Sequence, residues 1–202
     1  MKPCLLLLSA LLLLATGVQA EETVTMETVV VTATRTLTPL SQVASSVTVI
    51  SAEEIAEKQH RMVLDVLRSV PGVSITRSGP IGGQSSIRLR GTDNRHTLVL
   101  IDGIEYRDAS TIGGGPDLAH LSVDNIAQIE IVRGPQSVLY GSDAIGGVIN
   151  IITRKGTAQP QSYAAIEGGS YNTWRETAGF SVDSDVTAVA VGISRTDTDG
   201  FS

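Results

Sequence analysis

The sequence predicts an α+β unit, a small mixed sheet with short helices, followed by the first strands of an antiparallel β-structure. Three observations predict it. Between Pro39 and Lys155, short β-branched runs alternate with stretches of helical spacing. Beyond Gly156 the apolar period changes to two, in segments near ten residues long. Most of the aromatic residues (Tyr163, Tyr171, Trp174, Phe180 and Phe201) lie in this second region.

Ahead of both regions stands a leader, residues 1–20. Lys2 supplies its positive end, Leu5 to Leu14 its apolar core, and Val18-Gln19-Ala20 a small-residue exit. This is the layout of a cleaved secretory signal; the apolar run falls short of the roughly 20 residues that span a bilayer. Cleavage after Ala20 removes Cys4, the one cysteine of the chain. Disulfides, thiolate metal sites and thiol catalysis are thereby excluded. The remaining chain is acidic, with 21 Asp+Glu against one fewer than the 15 Lys+Arg of the whole sequence. With no basic run, nucleic acid is excluded as a partner.

Residues 21–38 form an N-terminal arm. "EETVTMETVVVTATRTLTPLSQ" is extended in character, rich in Thr and Val, and offers no helical stripe and too few apolar residues for a core. Its plain reading is a flexible segment. The α+β unit, residues 39–155, follows. A strand at Val47–Ile50 leads into a helix with Ser51 as N-cap and Glu54 three residues on, the capping-box spacing. Val63, Leu64, Val66, Leu67 and Val70 make the apolar stripe of a second short helix, stopped by Pro71-Gly72. "SSIRLRG" alternates as a strand, with Ile87 and Leu89 on one face and Arg88 and Arg90 on the other. Leu98 to Ile101 is a buried strand, turned by Asp102-Gly103 into a further strand. "VDNIAQIEIVRG" reads as a helical turn and a strand, and "GGVINIITRK" as the last strand.

Residues 156–202 carry about three alternating segments. Trp174, Ala178, Phe180 and Val182 share one face, and Arg175, Thr177, Ser181 and Asp183 the other. Val189, Val191 and Ile193 repeat the pattern. Periodicity alone fits both a soluble sheet and transmembrane barrel strands. Three strands with open edges cannot sit in lipid, where every backbone group needs a partner. Either these strands are soluble or the sequence stops inside a larger barrel.

No catalytic constellation emerges. Gly141 to Gly147 has the G-x-x-x-x-G spacing, but Val148 stands near the position where a phosphate loop needs Lys. Ser142 is not in a G-x-S-x-G elbow. His60, His96 and His120 lack zinc-type spacing. Asp102 reads as a turn residue. An enzyme is not expected. Arg88, Arg90 and Arg133 lie beside apolar strands, where a buried charge needs a partner. They read either as exposed arginines or as residues paired with acids of a surrounding wall.

Several stretches resemble one family. "ETVVVTA" (Glu27, Thr28, Val29, Val30, Val31, Thr32, Ala33) looks like a TonB box, the segment gripped by the energy-transducing protein TonB. "IRLRG", "LVLIDGIEY" and "IEIVRGPQSVLYGSDAIGGVINIIT" look like plug-domain motifs of TonB-dependent outer-membrane receptors. "GSDAIGGVINIIT" and "EGGSYNTWRE" are most similar to the cobalamin receptor group.

The resemblance implies an α+β plug domain followed by the first strands of a transmembrane antiparallel β-barrel of roughly 22 strands, of which this chain is an N-terminal fragment. It implies export to the outer membrane, with TonB and its inner-membrane energising complex as partner. The nutrient imported is cobalamin, or alternatively a ferric siderophore or haem. It places substrate contacts at Gln84, Ser86, Asp93, Ile112 and Gly113, and plug–barrel contacts at Arg88, Arg90 and Arg133. Asp93 and Gly113 depart from the residue types usual for cobalamin receptors. Only Glu21 to Met26 precede the box, which leaves no room for a signalling domain. No cofactor is expected. The resemblance leaves calcium in extracellular loops as a possible ligand, but Asp197 and Asp199, read as lying in the loop after the third strand, are too few for a full oxygen shell. A different class of function, a barrel-less periplasmic plug acting as a binding or decoy module, fits the same residues.

Overall fold

The computed structural model describes residues 29–79, 82–110, 113–184 and 186–200. The leader lies outside them. The plug is built on a five-stranded mixed sheet of order β3-β8-β9-β6-β7. Its members are β3 (Ser46–Ser51), β6 (Thr97–Ile101), β7 (Ile104–Glu105), β8 (Ile126–Arg133) and β9 (Gly147–Thr153). Only β6 and β9 run parallel; the other pairs are antiparallel. β1 (Val29–Val30) pairs with β2 (Thr38–Pro39), and β4 (Val73–Arg77) with β5 (Ser85–Leu89).

Helices α1 (Ala52–Glu57) and α2 (Val63–Arg68) cover one face. Ser51 caps α1 by accepting from the Glu54 N–H at 3.3 Å. The reciprocal half of a capping box is not made, because the Glu54 carboxylate takes Lys58 one turn on at 2.6 Å. The predicted stripe of α2 is buried throughout, and it packs with Ile87, Leu89, Ile129, Ile131, Ile149 and Ile151 into the main core. The opposite sheet face holds a smaller cluster of Leu98, Leu100, Ala144 and Val148, with Tyr140 against it. Both faces are thus covered, as the continuous β-branched runs require.

Two sequence expectations for the plug need correction, the helical turn before β8 and the free arm. Val123 to Asn125 form a hydrogen-bonded turn into β8, with the Ile126 N–H donating to the Val123 carbonyl at 3.1 Å, and no helical turn precedes that strand. The glycine-rich middle between β8 and β9 holds a short helix, α3 (Ser137–Tyr140), and a 3-10 turn at Ser142–Ala144. The arm is not free: after β1 it turns, the Arg35 N–H donating to the Val31 carbonyl at 2.7 Å. Strand β4 has no counterpart in the sequence reading, although Val73 and Ile75 alternate with Ser74 and Thr76.

β10 (Gln161–Gly169), β11 (Thr173–Asp183) and β12 (Ala188–Asp197) form an antiparallel meander. Asp197 therefore closes β12, pairing with Arg195 at 2.5 Å, and does not lie in the loop that follows. One face of the meander presents Trp174, Phe180, Val189, Val191 and Ile193, all exposed. Its other face meets the plug. There Arg175 pairs with Asp124 of the plug, their side chains only 11% and 14% exposed, and Arg61 of the plug pairs with Glu167 of β10.

Candidate functional site

Two regions of the plug carry the chemistry. The first is a polar cleft of about 660 Å³ between the β4–β5 hairpin and the loops after β5 and β7. Gln84, Ser86, Asp93, Asn94, Arg95 and Ser110 line it. Asp93 caps the 3-10 turn Asn94–His96 by accepting from the Arg95 N–H at 3.0 Å and from its Nε at 3.1 Å. That backbone N–H, and then the guanidinium, hold the Asp93 carboxyl below its ordinary range. A depressed carboxyl is fully ionised at neutral pH, so the cap weakens only on acidification through that lowered value. Asn94 Oδ1 accepts from the Ile87 N–H at 2.9 Å and so fixes the turn to β5.

A buried clamp joins the two walls. Ser85, at the edge of the cleft, is 4% exposed. Asp117 Oδ1 accepts from Ser85 N (3.0 Å), Ser85 Oγ (2.5 Å) and Ala119 N (3.0 Å), and Ser85 Oγ accepts from Leu118 N at 3.0 Å. Ser85→Ala is expected to cost about 1–3 kcal/mol, because it leaves buried polar groups short of partners. The check is the urea midpoint, which falls at unchanged slope; an unmoved midpoint would show that the clamp does not hold the loops. The glycines of "TIGGGP" have a packing role here. A Cβ on Gly113 would collide with the Arg95 side chain, and one on Gly115 with Asn94.

The expected substrate residues Gln84, Ser86 and Asp93 therefore share one cleft, and Gly113 abuts Arg95 on its wall. Ile112 lies outside the described residues. Sequence reasoning missed Asn94, Arg95 and Ser110, which look like ordinary polar loop residues until the fold brings them together.

The second region is the docked arm. Glu27 and Thr28 lie outside the described residues. Val30 and Thr32 are fully buried, Ala33 is 8% exposed, and Val29 is exposed at 37%. The carboxylate of Glu130, itself fully buried, accepts from Val31 N (3.1 Å), Thr32 N (2.8 Å) and Thr32 Oγ1 (2.5 Å). Gln128 Nε2 donates to it as well, at 2.7 Å. Tyr140 donates its hydroxyl to the Thr32 carbonyl at 2.9 Å. Burial raises the Tyr140 hydroxyl above its ordinary value, which keeps it protonated as a donor. Arg35 lies over the Tyr140 ring, 4.5 Å from its centroid. Glu130 left one signal in the sequence, an acid inside the apolar run Ile129–Val132.

Arg133 donates to the Pro71 carbonyl (2.8 Å) and to Thr48 Oγ1 (2.7 Å). Arg88 is exposed and reaches Thr76 Oγ1 at 3.4 Å, and the Arg90 side chain lies beside Gly134. Among the described residues none of the three makes an ion pair. The charges that join plug and meander belong to Arg61, Asp124, Glu167 and Arg175.

A small mixed sheet packed with short helices, a docked N-terminal arm, a loop-built polar cleft and an antiparallel β-meander with an apolar outer face define a receptor plug with the start of its barrel. Residues 39–148 match the family described as TonB-dependent Receptor Plug Domain, and the chain belongs to that family. It is 40% identical over 163 residues to the vitamin B12 transporter BtuB of Vibrio vulnificus (strain CMCP6), a match that covers 81% of this chain and 26% of that protein. The chain thus spans about a quarter of the length of this relative. The ferripyoverdine receptor of the Pseudomonas aeruginosa outer membrane shares the fold at TM-score 0.70 and 18% identity, over 85% of this chain and 22% of that one. The ferric yersiniabactin uptake receptor FyuA of Yersinia pestis is similar at TM-score 0.60 and 25% identity, over 76% and 24% of the two chains.

Proposed function

We propose that this chain is the plug and first barrel strands of a TonB-dependent transporter of the outer membrane, and that its ligand is a cobalamin. The observation that carries the ligand assignment is the 40% identity to a vitamin B12 transporter, against 18% and 25% for the two siderophore receptors. The cleft supports it. Its lining of hydroxyl, amide and paired charged groups suits a ligand rich in amides, and among the described residues no aromatic side chain lines it for stacking on a catecholate. The apolar outer face of β11 and β12 suits lipid, with Trp174 at a strand end where an aromatic girdle would lie.

Energy would enter through the segment Val29 to Ala33. An extended peptide adds to the edge of a partner's sheet by backbone hydrogen bonds. Such a segment needs β-forming residues more than particular side chains, and Val29, Val30, Val31 and Thr32 are all β-branched. TonB, driven from the inner membrane, would draw on this strand and remodel the plug.

The test is growth of a transport-deficient strain expressing the intact receptor. Rescue is expected on limiting cobalamin and not on limiting ferric siderophore. Rescue on iron alone would replace cobalamin by a siderophore, and rescue on neither with ligand still bound by purified protein would favour a binding module.

A further inference from the structure

Glu130 is the one fully buried acid among the described residues, and nothing in uptake itself requires it. No cation pairs with it there. A buried carboxylate costs several kcal/mol unless its oxygens are satisfied, and here the arm supplies most of the donors: two backbone N–H groups and one hydroxyl. Asn150 stands directly across from Glu130 in the β8–β9 ladder, so both side chains lie on the same sheet face. Its Oδ1 is buried with no hydrogen-bond partner. The two acceptors Glu130 and Asn150 thus share the sheet face on which the arm docks, and Glu130 takes its N–H donors.

The shape of the docked arm matters as much as its contacts. In an extended strand, successive N–H groups point to opposite sides. Here the N–H groups of Val31 and Thr32 both point at one carboxylate, and the Thr34 and Arg35 N–H groups both return to the Val31 carbonyl. Residues 31–34 are thus held in a turn. Strand addition to a partner needs the same donors in the extended form. The two states exclude each other.

We propose that Glu130 is the latch that holds the TonB-binding segment closed, and that its competition for the Val31 and Thr32 N–H groups sets the resting affinity for TonB. This rests on the reading of Val29 to Ala33 as the TonB-binding segment.

The experiment uses the intact receptor without ligand, a soluble TonB fragment, and thiol labelling of Val30→Cys. Val30 is fully buried when the arm is docked, residues 21–202 hold no cysteine, and any cysteine elsewhere in the receptor is first replaced by serine. Glu130→Gln removes the charge that strengthens three hydrogen bonds; it is expected to raise ligand-free TonB affinity and the labelling rate about tenfold each. Thr32→Val removes only the hydroxyl donor and lies outside the sheet core, so it should move both readouts the same way by less. It carries the test if Glu130→Gln does not fold. Wild-type labelling and wild-type TonB affinity in both variants would overturn the latch. If labelling speeds up while the TonB fragment binds neither wild type nor variant, the latch stands and the identity of the partner falls.

Discussion

Val30→Pro is expected to reduce uptake by the intact receptor to the level of one lacking the arm, with ligand affinity unchanged. Proline has no N–H to give to a partner strand, and its ring fixes φ near −65°, outside the usual strand values. A segment of a few residues in an added strand has few ladder bonds, so losing one at its centre is severe. The structure adds a second consequence. Val30 is fully buried and paired with Thr38, so proline also loosens the docked arm. The variant should therefore expose the arm more and transport less. That opposition separates strand addition from simple release, because a receptor that needed only release would gain. Val30→Ala keeps the N–H and should transport close to normally. The measurements are uptake of labelled cobalamin by cells and equilibrium binding to purified receptor. Full uptake by the proline variant would remove Val29 to Ala33 from the energy path.

Much of this architecture was written in local patterns, and the rest was not. The α2 stripe and the alternation Ile87–Leu89 were readable, because each depends on residues a few positions apart. Asp102-Gly103 was readable as a turn: both residues have positive φ, at 50° and 82°. The sequence did not disclose that the Asp102 carboxylate also accepts from Thr153 N and Oγ1, at 2.9 and 2.7 Å. That contact spans fifty-one positions and closes β9 against the turn.

The same limit explains the arm and the cleft. Composition made residues 21–38 look free, because a Thr/Val segment cannot bury its own backbone. The partner that buries it, Glu130, lies some hundred residues away. Gln84, Ser86 and Asp93 entered as separate loop residues, and the clamp from Ser85 to Asp117 turns them into one wall. The ion pair between plug and meander was no more legible: Asp124 and Arg175 sit in ordinary polar surroundings in the sequence, and only the meeting of the two surfaces pairs them.

Gly147→Ala is expected to be the most damaging small substitution in the plug. The glycine opens β9 at φ 143°, a value that side chains seldom adopt. An added Cβ would lie well inside 3.0 Å of the Val132 carbonyl oxygen and 2.8 Å from Leu89 Cδ1. The first obstacle is backbone in the centre of the sheet and cannot swing aside. The Gly147 carbonyl and N–H positions also set the start of two ladders, since Gly147 faces Arg133 on β8 and Thr97 on β6. Strain and overpacking together should cost about 3–5 kcal/mol, a large part of the roughly 5–15 kcal/mol that holds a domain folded. Hydrogen exchange of the β8–β9 amides reads this directly: protection should fall by about two to three and a half orders of magnitude, at 1.4 kcal/mol per tenfold. Gly91→Ala is the matched control. Gly91 has φ 76° with nothing within 4 Å of an added Cβ, so it meets the backbone penalty alone, about 1–2 kcal/mol. Equal losses at the two glycines would mean that φ, and not the close approach of β8 to β9, is what reserves position 147 for glycine. The larger loss at Gly147 would instead place the requirement in the packing of the sheet, where the motif "GGVINIIT" brings two strands and Leu89 against a residue with no side chain.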